Sequence, residues 1–149
     1  MSYIYSRHKT VVVFSCAHAD PSVSNERFLW LGNLIYDINP TYVVDLGDGA
    51  DMKSLNSFDT RSPQAVVSQN YEKDIECYND AMEKLRHMPN QRKYKRSSWI
   101  GFEGNHENRI KRAIQTDPRL EGNKYGISFK HLQTDHWFND YHEYSNSAP

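Results

Sequence analysis

Tyr42-Val43-Val44-Asp45-Leu46-Gly47-Asp48-Gly49-Ala50-Asp51 is a short β-branched run that stops at a glycine and carries a carboxylate, Asp48, at its exit. An apolar run closed in this way is the pattern of a buried strand opening into a loop. In open α/β sheets, ligands bind in the crevice beyond the carboxyl ends of the strands.

Upstream, Lys9-Thr10-Val11-Val12-Val13-Phe14-Ser15 is continuous and β-branched and predicts a buried first strand, leaving through Cys16-Ala17-His18-Ala19-Asp20-Pro21. Between the two strands, Phe28, Leu29, Leu31, Leu34, Ile35 and Ile38 recur as a helical stripe. A helix over residues 25–38 is expected, capped by Ser22 or Ser24 and ended by Pro40. Strand, helix, strand with short joints implies a parallel, right-handed βαβ unit.

Downstream, residues 51–63 read as polar loop with at most a turn of helix. Residues 64–87 form one long predicted helix through Val66, Val67, Tyr71, Ile75, Tyr78, Ala81, Met82 and Leu85. A third strand, Ser97-Ser98-Trp99-Ile100-Gly101-Phe102, exits into Glu103-Gly104-Asn105-His106-Glu107, and a helix over residues 107–115 follows. Beyond Pro118 the pattern fades. Residues 125–132 fit a helix or a strand, residues 137–144 start a further strand, and the tail Ser145-Asn146-Ser147-Ala148-Pro149 reads as loose.

The 149 residues suit one domain with a real core and not two. A net charge of −1 gives no global reason to bind nucleic acid or an anionic membrane. The basic run Gln91-Arg92-Lys93-Tyr94-Lys95-Arg96 reads first as a solvated loop, so a nucleic-acid partner has weak support. With only 38% hydrophobic residues, ten Tyr and three Trp must carry much of the apolar area. No run approaches the roughly 20 apolar residues of a membrane span, so no membrane partner is expected. No apolar segment follows Arg7 as a signal peptide requires. Two cysteines, Cys16 and Cys77, do not make a disulfide framework, and a cytoplasmic setting is the default.

Each strand exit has an ordinary explanation when taken alone. Cys16 reads as a small buried hydrophobe, His18 as a solvated loop residue, the Gly-Asp segment as a turn, and Asn105 as a helix cap. Together, three consecutive parallel strands deliver Cys16, His18, Asp48 and Asn105 to one edge. Such side chains converge to ligate hard-to-borderline divalent metals, and a carboxylate such as Asp48 can bridge two ions.

In these motifs the chain resembles the calcineurin-like metallophosphoesterases. That family shows Asp-x-His after the first strand, Gly-Asp-x-x-Asp after the second, Gly-Asn-His-Glu/Asp after the third, and Gly-His-x-His later. Here Gly47-Asp48-Gly49-Ala50-Asp51 and Gly104-Asn105-His106-Glu107 are intact, and the order matches over residues 10–112. The short, helix-rich layout is similar to bacteriophage-encoded members. The resemblance implies hydrolysis of phosphate monoesters or diesters by a dinuclear centre of Mn, Zn, Fe or Ni ions with a bridging hydroxide. His18 and Asp48 would hold the first ion, and Asp48 and Asn105 the second. His106 would face the phosphoryl group and leaving oxygen, with Asp51 as its carboxylate partner.

Two departures stand out. Position 16 is Cys where the family has Asp. Either its thiolate ligates and tilts the first site towards zinc, or it does not ligate and leaves that site weak. After His106, none of His131, His136 and His142 lies in a Gly-His-x-His, so no ligand role passes to them. The expected fold is therefore α/β, the N-terminal portion of the four-layer α/β/β/α sandwich. It would be a mainly parallel sheet of βαβ units forming one incomplete domain over residues 1–149. The open sheet would be covered by a separate C-terminal fragment or by self-association. The competing reading is a non-catalytic, degenerate metal-binding or interaction protein of the same fold.

Overall fold

The computed structural model describes residues 9–56, 70–87, 97–122, 124 and 126–144. The N-terminal segment 1–7, the start of the long helix at 64–69, the basic run 91–96 and the tail 145–149 lie outside the described residues.

Four strands, β1 (Val11–Phe14), β2 (Tyr42–Asp45), β3 (Ser98–Phe102) and β4 (Asp140–His142), stand side by side in chain order, all parallel. Helix α1 (Glu26–Ile38) joins β1 to β2, and α2 (Tyr71–Arg86) lies between β2 and β3. Helix α3 (Asn108–Thr116) and the single turn α4 (Thr134–Trp137) lie between β3 and β4. Three 3-10 turns, Lys53–Leu55, Pro118–Leu120 and Phe129–Leu132, complete the described elements. This is the α/β architecture with βαβ units that the sequence predicts.

Right-handed crossovers that always step the same way place every connecting helix on one face of the sheet. Burial follows. Val43, Asp45, Trp99 and Gly101 point under the helices and are buried, with Val12, Phe14 and Tyr141 on the same side. Phe28 and Ile35 of α1 and Tyr78, Ala81, Met82 and Leu85 of α2 close over them. Each large side chain covered in this way contributes about 1.5–3 kcal/mol. The opposite face is less covered: Val44 and Ile100 at its centre are half-buried, Val11 and Val13 are 47% and 55% exposed, and Leu46 and Phe102 are 53% and 38% exposed. The first strand is thus not buried on both faces, because it is the sheet edge and, among the described residues, helices cover one side.

The start of α1 also differs from expectation, while its end at Ile38 agrees. Its N-cap is Asn25, whose side chain does not cap but donates to Cys77 O (2.8 Å) and Asp80 Oδ2 (2.9 Å), tying the helix start to α2. Ser24 Oγ accepts from Glu26 N at 3.3 Å. The helix stops at Asn39, which is left-handed and donates its N–H to Ile35 O at 2.9 Å, before Pro40 is reached. Helix α2 begins on Asn70, whose side chain accepts from Glu72 N and Lys73 N. Of residues 125–132, Ile127 bridges Glu121 and Phe129–Leu132 form a 3-10 turn. Trp137 closes α4, and the last strand begins only at Asp140. Among the described residues, no helix is long and apolar enough to cross a membrane.

Candidate metal centre

Beyond their strands, the β1 and β2 exits stay zipped together. Cys16 N donates to Gly47 O (3.0 Å), His18 N to Asp48 O (3.0 Å), Ala19 N to Gly49 O (2.7 Å) and Asp51 N to Ala19 O (3.2 Å). Arg27 of α1 fixes the first loop from outside, donating to His18 O at 2.7 Å and Ala17 O at 3.2 Å. The third exit is tied in through His106 N, which donates to Asp48 Oδ1 at 3.0 Å.

The loops approach closely because glycine stands where a side chain would collide. A Cβ on Gly104 would lie 2.2 Å from both Asp48 N and Asp48 Oδ1. Gly47 has φ +96° and sits against the Gly104 backbone. Cys16, His18, Asp48 and Met52 are all left-handed, with φ between 46° and 58°. Such positions cost on the order of 1–3 kcal/mol and persist where the surroundings over-determine them.

Beneath the loops, the carboxylate of Glu107 accepts from Asp48 N (3.0 Å), Ala50 N (2.8 Å) and Gly104 N (3.0 Å), joining the second and third exits. Burial raises its pKa despite these donors. Asp45, also buried, accepts from Gly47 N at 3.0 Å. Burial, with Glu107 and Asp48 nearby, pushes its pKa up to about 7.

On this frame the donor atoms of Cys16, His18 and Asp48 lie within 4.8 Å of one another, as do those of His18, Asp51 and His106. Asp51 Oδ1 is 3.2 Å from His18 Nδ1 and 3.1 Å from His106 Nδ1. His106 Nδ1 also lies 2.9 Å from the Asp51 carbonyl oxygen. The two imidazoles meet edge to face at 4.5 Å. The Asn105 amide faces both Asp48 oxygens. Turned with Nδ2 inward it donates to each at 2.9 Å, and turned with Oδ1 inward it leaves three oxygens with no proton between them. The second arrangement is one that a cation resolves, so Asp48 and Asn105 fit an oxygen-ligated divalent ion. Cys16, His18 and Asp48 fit a softer one.

The six residues singled out from the sequence, Cys16, His18, Asp48, Asp51, Asn105 and His106, are thus brought to one edge. His131, His136 and His142 are not. His131 Nδ1 lies 2.8 Å from Tyr71 Oη, His136 packs on Trp137, and His142 stacks on Phe102 beside Asp140. Cys16 and Cys77 are both free thiols.

Sequence reasoning gave no site role to four contributors, Asp45, Glu107, Arg109 and Arg112. Asp45 had a signal, an acid inside an otherwise apolar strand, which is costly to bury without partners. Arg109 follows directly on the third motif, as His106-Glu107-Asn108-Arg109, but was given no role, and Arg112 had no signal, since arginine on a helix surface is ordinary. Arg109 donates to Asp51 O at 2.8 Å, and its Nη2 lies 3.2 Å from His106 Nε2. A guanidinium only donates, so His106 Nε2 accepts and the ring proton sits on Nδ1, towards Asp51. Arg112 donates to Asn105 O at 3.0 Å.

Comparison with protein-family models, with curated proteins and with solved structures returns no match.

Proposed function

We propose that this chain is a metal-dependent phosphoesterase of the calcineurin-like type, cleaving phosphate monoesters or diesters at the edge where β1, β2 and β3 end. The observation that carries the reading is the cluster of Cys16, His18 and Asp48 donor atoms within 4.8 Å, beside an Asn105 amide aimed at Asp48. Cys16, His18 and Asp48 would hold one ion, and Asp48 with Asn105 a second. When bound, divalent cations there supply a water of lowered pKa and neutralise charge on a phosphoryl group. A thiolate among the donors favours zinc over manganese, iron or nickel at the first position.

The protein's own groups do the rest. Asp51 holds both imidazoles at Nδ1, His18 through its carboxylate and His106 through its backbone carbonyl with Oδ1 close by, which fixes the tautomer of His106 with Nε2 as the acceptor. His106 is the group placed to exchange a proton with the leaving oxygen. Glu107 and the two glycines hold the loops so that this geometry exists before substrate arrives. The less covered sheet face, with Val11, Val13, Leu46 and Phe102, supports the four-layer assignment, since the second sheet of that sandwich covers this face.

The test is hydrolysis of p-nitrophenyl phosphate and bis(p-nitrophenyl) phosphate after loading with manganese, zinc, iron or nickel. Turnover that depends on metal and is lost in Asp48→Asn is expected. Flat rates with every metal would overturn the reading. One observation favours the non-catalytic alternative: His131, His136 and His142 lie elsewhere, leaving four donor side chains for two ions. Elemental analysis separates the two, with two metals per chain expected for the enzyme and one or none for a binding protein.

A further inference from the structure

Alongside the metal-ligand cluster runs a cavity of about 470 Å³ whose lining includes Leu55, Asn105, Arg109, Arg112, Ala113 and Leu120. The two arginines leave α3 three residues apart, which on a helix surface places them side by side, about 5–6 Å apart at Cβ. Arg109 lies in the first turn of α3, where the helix dipole disfavours a cation. Backbone carbonyls hold both guanidiniums: Arg109 bonds Asp51 O and Met52 O, and Arg112 bonds Asn105 O. Among the described residues, no carboxylate pairs with either one. Asp117, on the cavity rim, is already taken by Arg119 in a two-pronged contact at 2.8 Å. Two fixed positive charges thus face a partly apolar cavity that opens beside His106 and Asn105.

We propose that this cavity is a second-phosphate subsite, and that the substrate is an organic molecule carrying two phosphates, such as a nucleoside bisphosphate. The proposal rests on the phosphoesterase reading for the position of the scissile group. Arg109, whose Nη2 is 3.2 Å from His106 Nε2, lies close enough to reach the scissile phosphoryl oxygens. On doing so it releases the Nε2 lone pair of His106 that it otherwise engages. Arg112, one turn further along α3, takes the second phosphate. The organic part lies over Leu55, Ala113 and Leu120. Arginine suits the task because its planar fork matches phosphate oxygens two at a time.

Binding to the metal-free protein tests the subsite without calling on turnover. Adenosine 3′,5′-bisphosphate is titrated by calorimetry, with adenosine as the uncharged comparison. Binding of the bisphosphate that weakens at least about fivefold in Arg112→Gln, and also with rising salt, is expected for a charge-assisted contact. Arg112 is exposed, so this variant keeps the fold, and Arg109→Gln serves as the second variant. A loss smaller than that in both variants, or no binding by the unaltered protein, would overturn the proposal. Turnover with added metal is scored separately. Bisphosphate binding that depends on Arg112 in a protein without phosphoesterase activity would count for the subsite and against the hydrolase reading alone.

Discussion

The carboxylate of Glu107 takes the backbone N–H of Asp48 at 3.0 Å, across 59 residues of chain. With Ala50 N and Gly104 N on the same two oxygens, one buried acid sets the distance between the second and third strand exits.

Glu107→Ala leaves three backbone donors without their acceptor. An unmade buried hydrogen bond costs about 1–3 kcal/mol, so a loss of at least about 3 kcal/mol is expected. Chemical denaturation measures it. A loss below about 1 kcal/mol would show that the loops are held by other contacts.

Asp45 makes a prediction about pH. Its folded-state pKa, about 7, lies above the ordinary 3.8, so folding takes up a proton between those values. Its contribution to stability is full below about pH 4 and is lost as pH rises towards about 7. Asp45→Asn keeps an acceptor for Gly47 N and removes the charge. The variant is expected to match the unaltered protein at about pH 4 and to exceed it by a few kcal/mol at about pH 8. Urea midpoints at the two pH values decide it, and equal differences at both would contradict the assignment.

Cys16 ligation has a spectroscopic signature. Cobalt loaded into the protein is expected to show a thiolate charge-transfer band in the near ultraviolet, absent in Cys16→Ser. A band unchanged in the variant would place the ion away from position 16.

Asp51→Asn tests orientation rather than ligation. Metal content measured by elemental analysis is expected to hold, while turnover falls about 10–100-fold, the usual cost of losing a carboxylate behind a histidine. Loss of metal together with activity would make Asp51 a ligand.

The three strands of the site region were legible as short apolar runs that give way to polar loops, the second of them closed by Gly47. The second half of the long helix was legible from Tyr71 to Leu85 by its three- and four-residue steps. Which face of β1 is covered was not legible, because a continuous Val run reads the same with one helical layer as with two. The closeness of Cys16, His18 and Asp48 followed from two neighbouring parallel strands leaving on the same edge. The work of Glu107 did not, since a glutamate at a helix start already has an ordinary explanation. Asp45 showed only that something polar was buried, and the spacing of Arg109 and Arg112 meets the site only once α3 is packed.

The chain-order sheet bears on how the protein is made. Each strand pairs only with strands adjacent in sequence: β2 against β1, β3 against β2, and β4 against β3. The first βαβ unit can therefore close as soon as Asp45 has left the ribosome, and every later unit docks onto an edge already formed. Among the described residues no strand pairs out of chain order, so each pairing closes over a single connection rather than several.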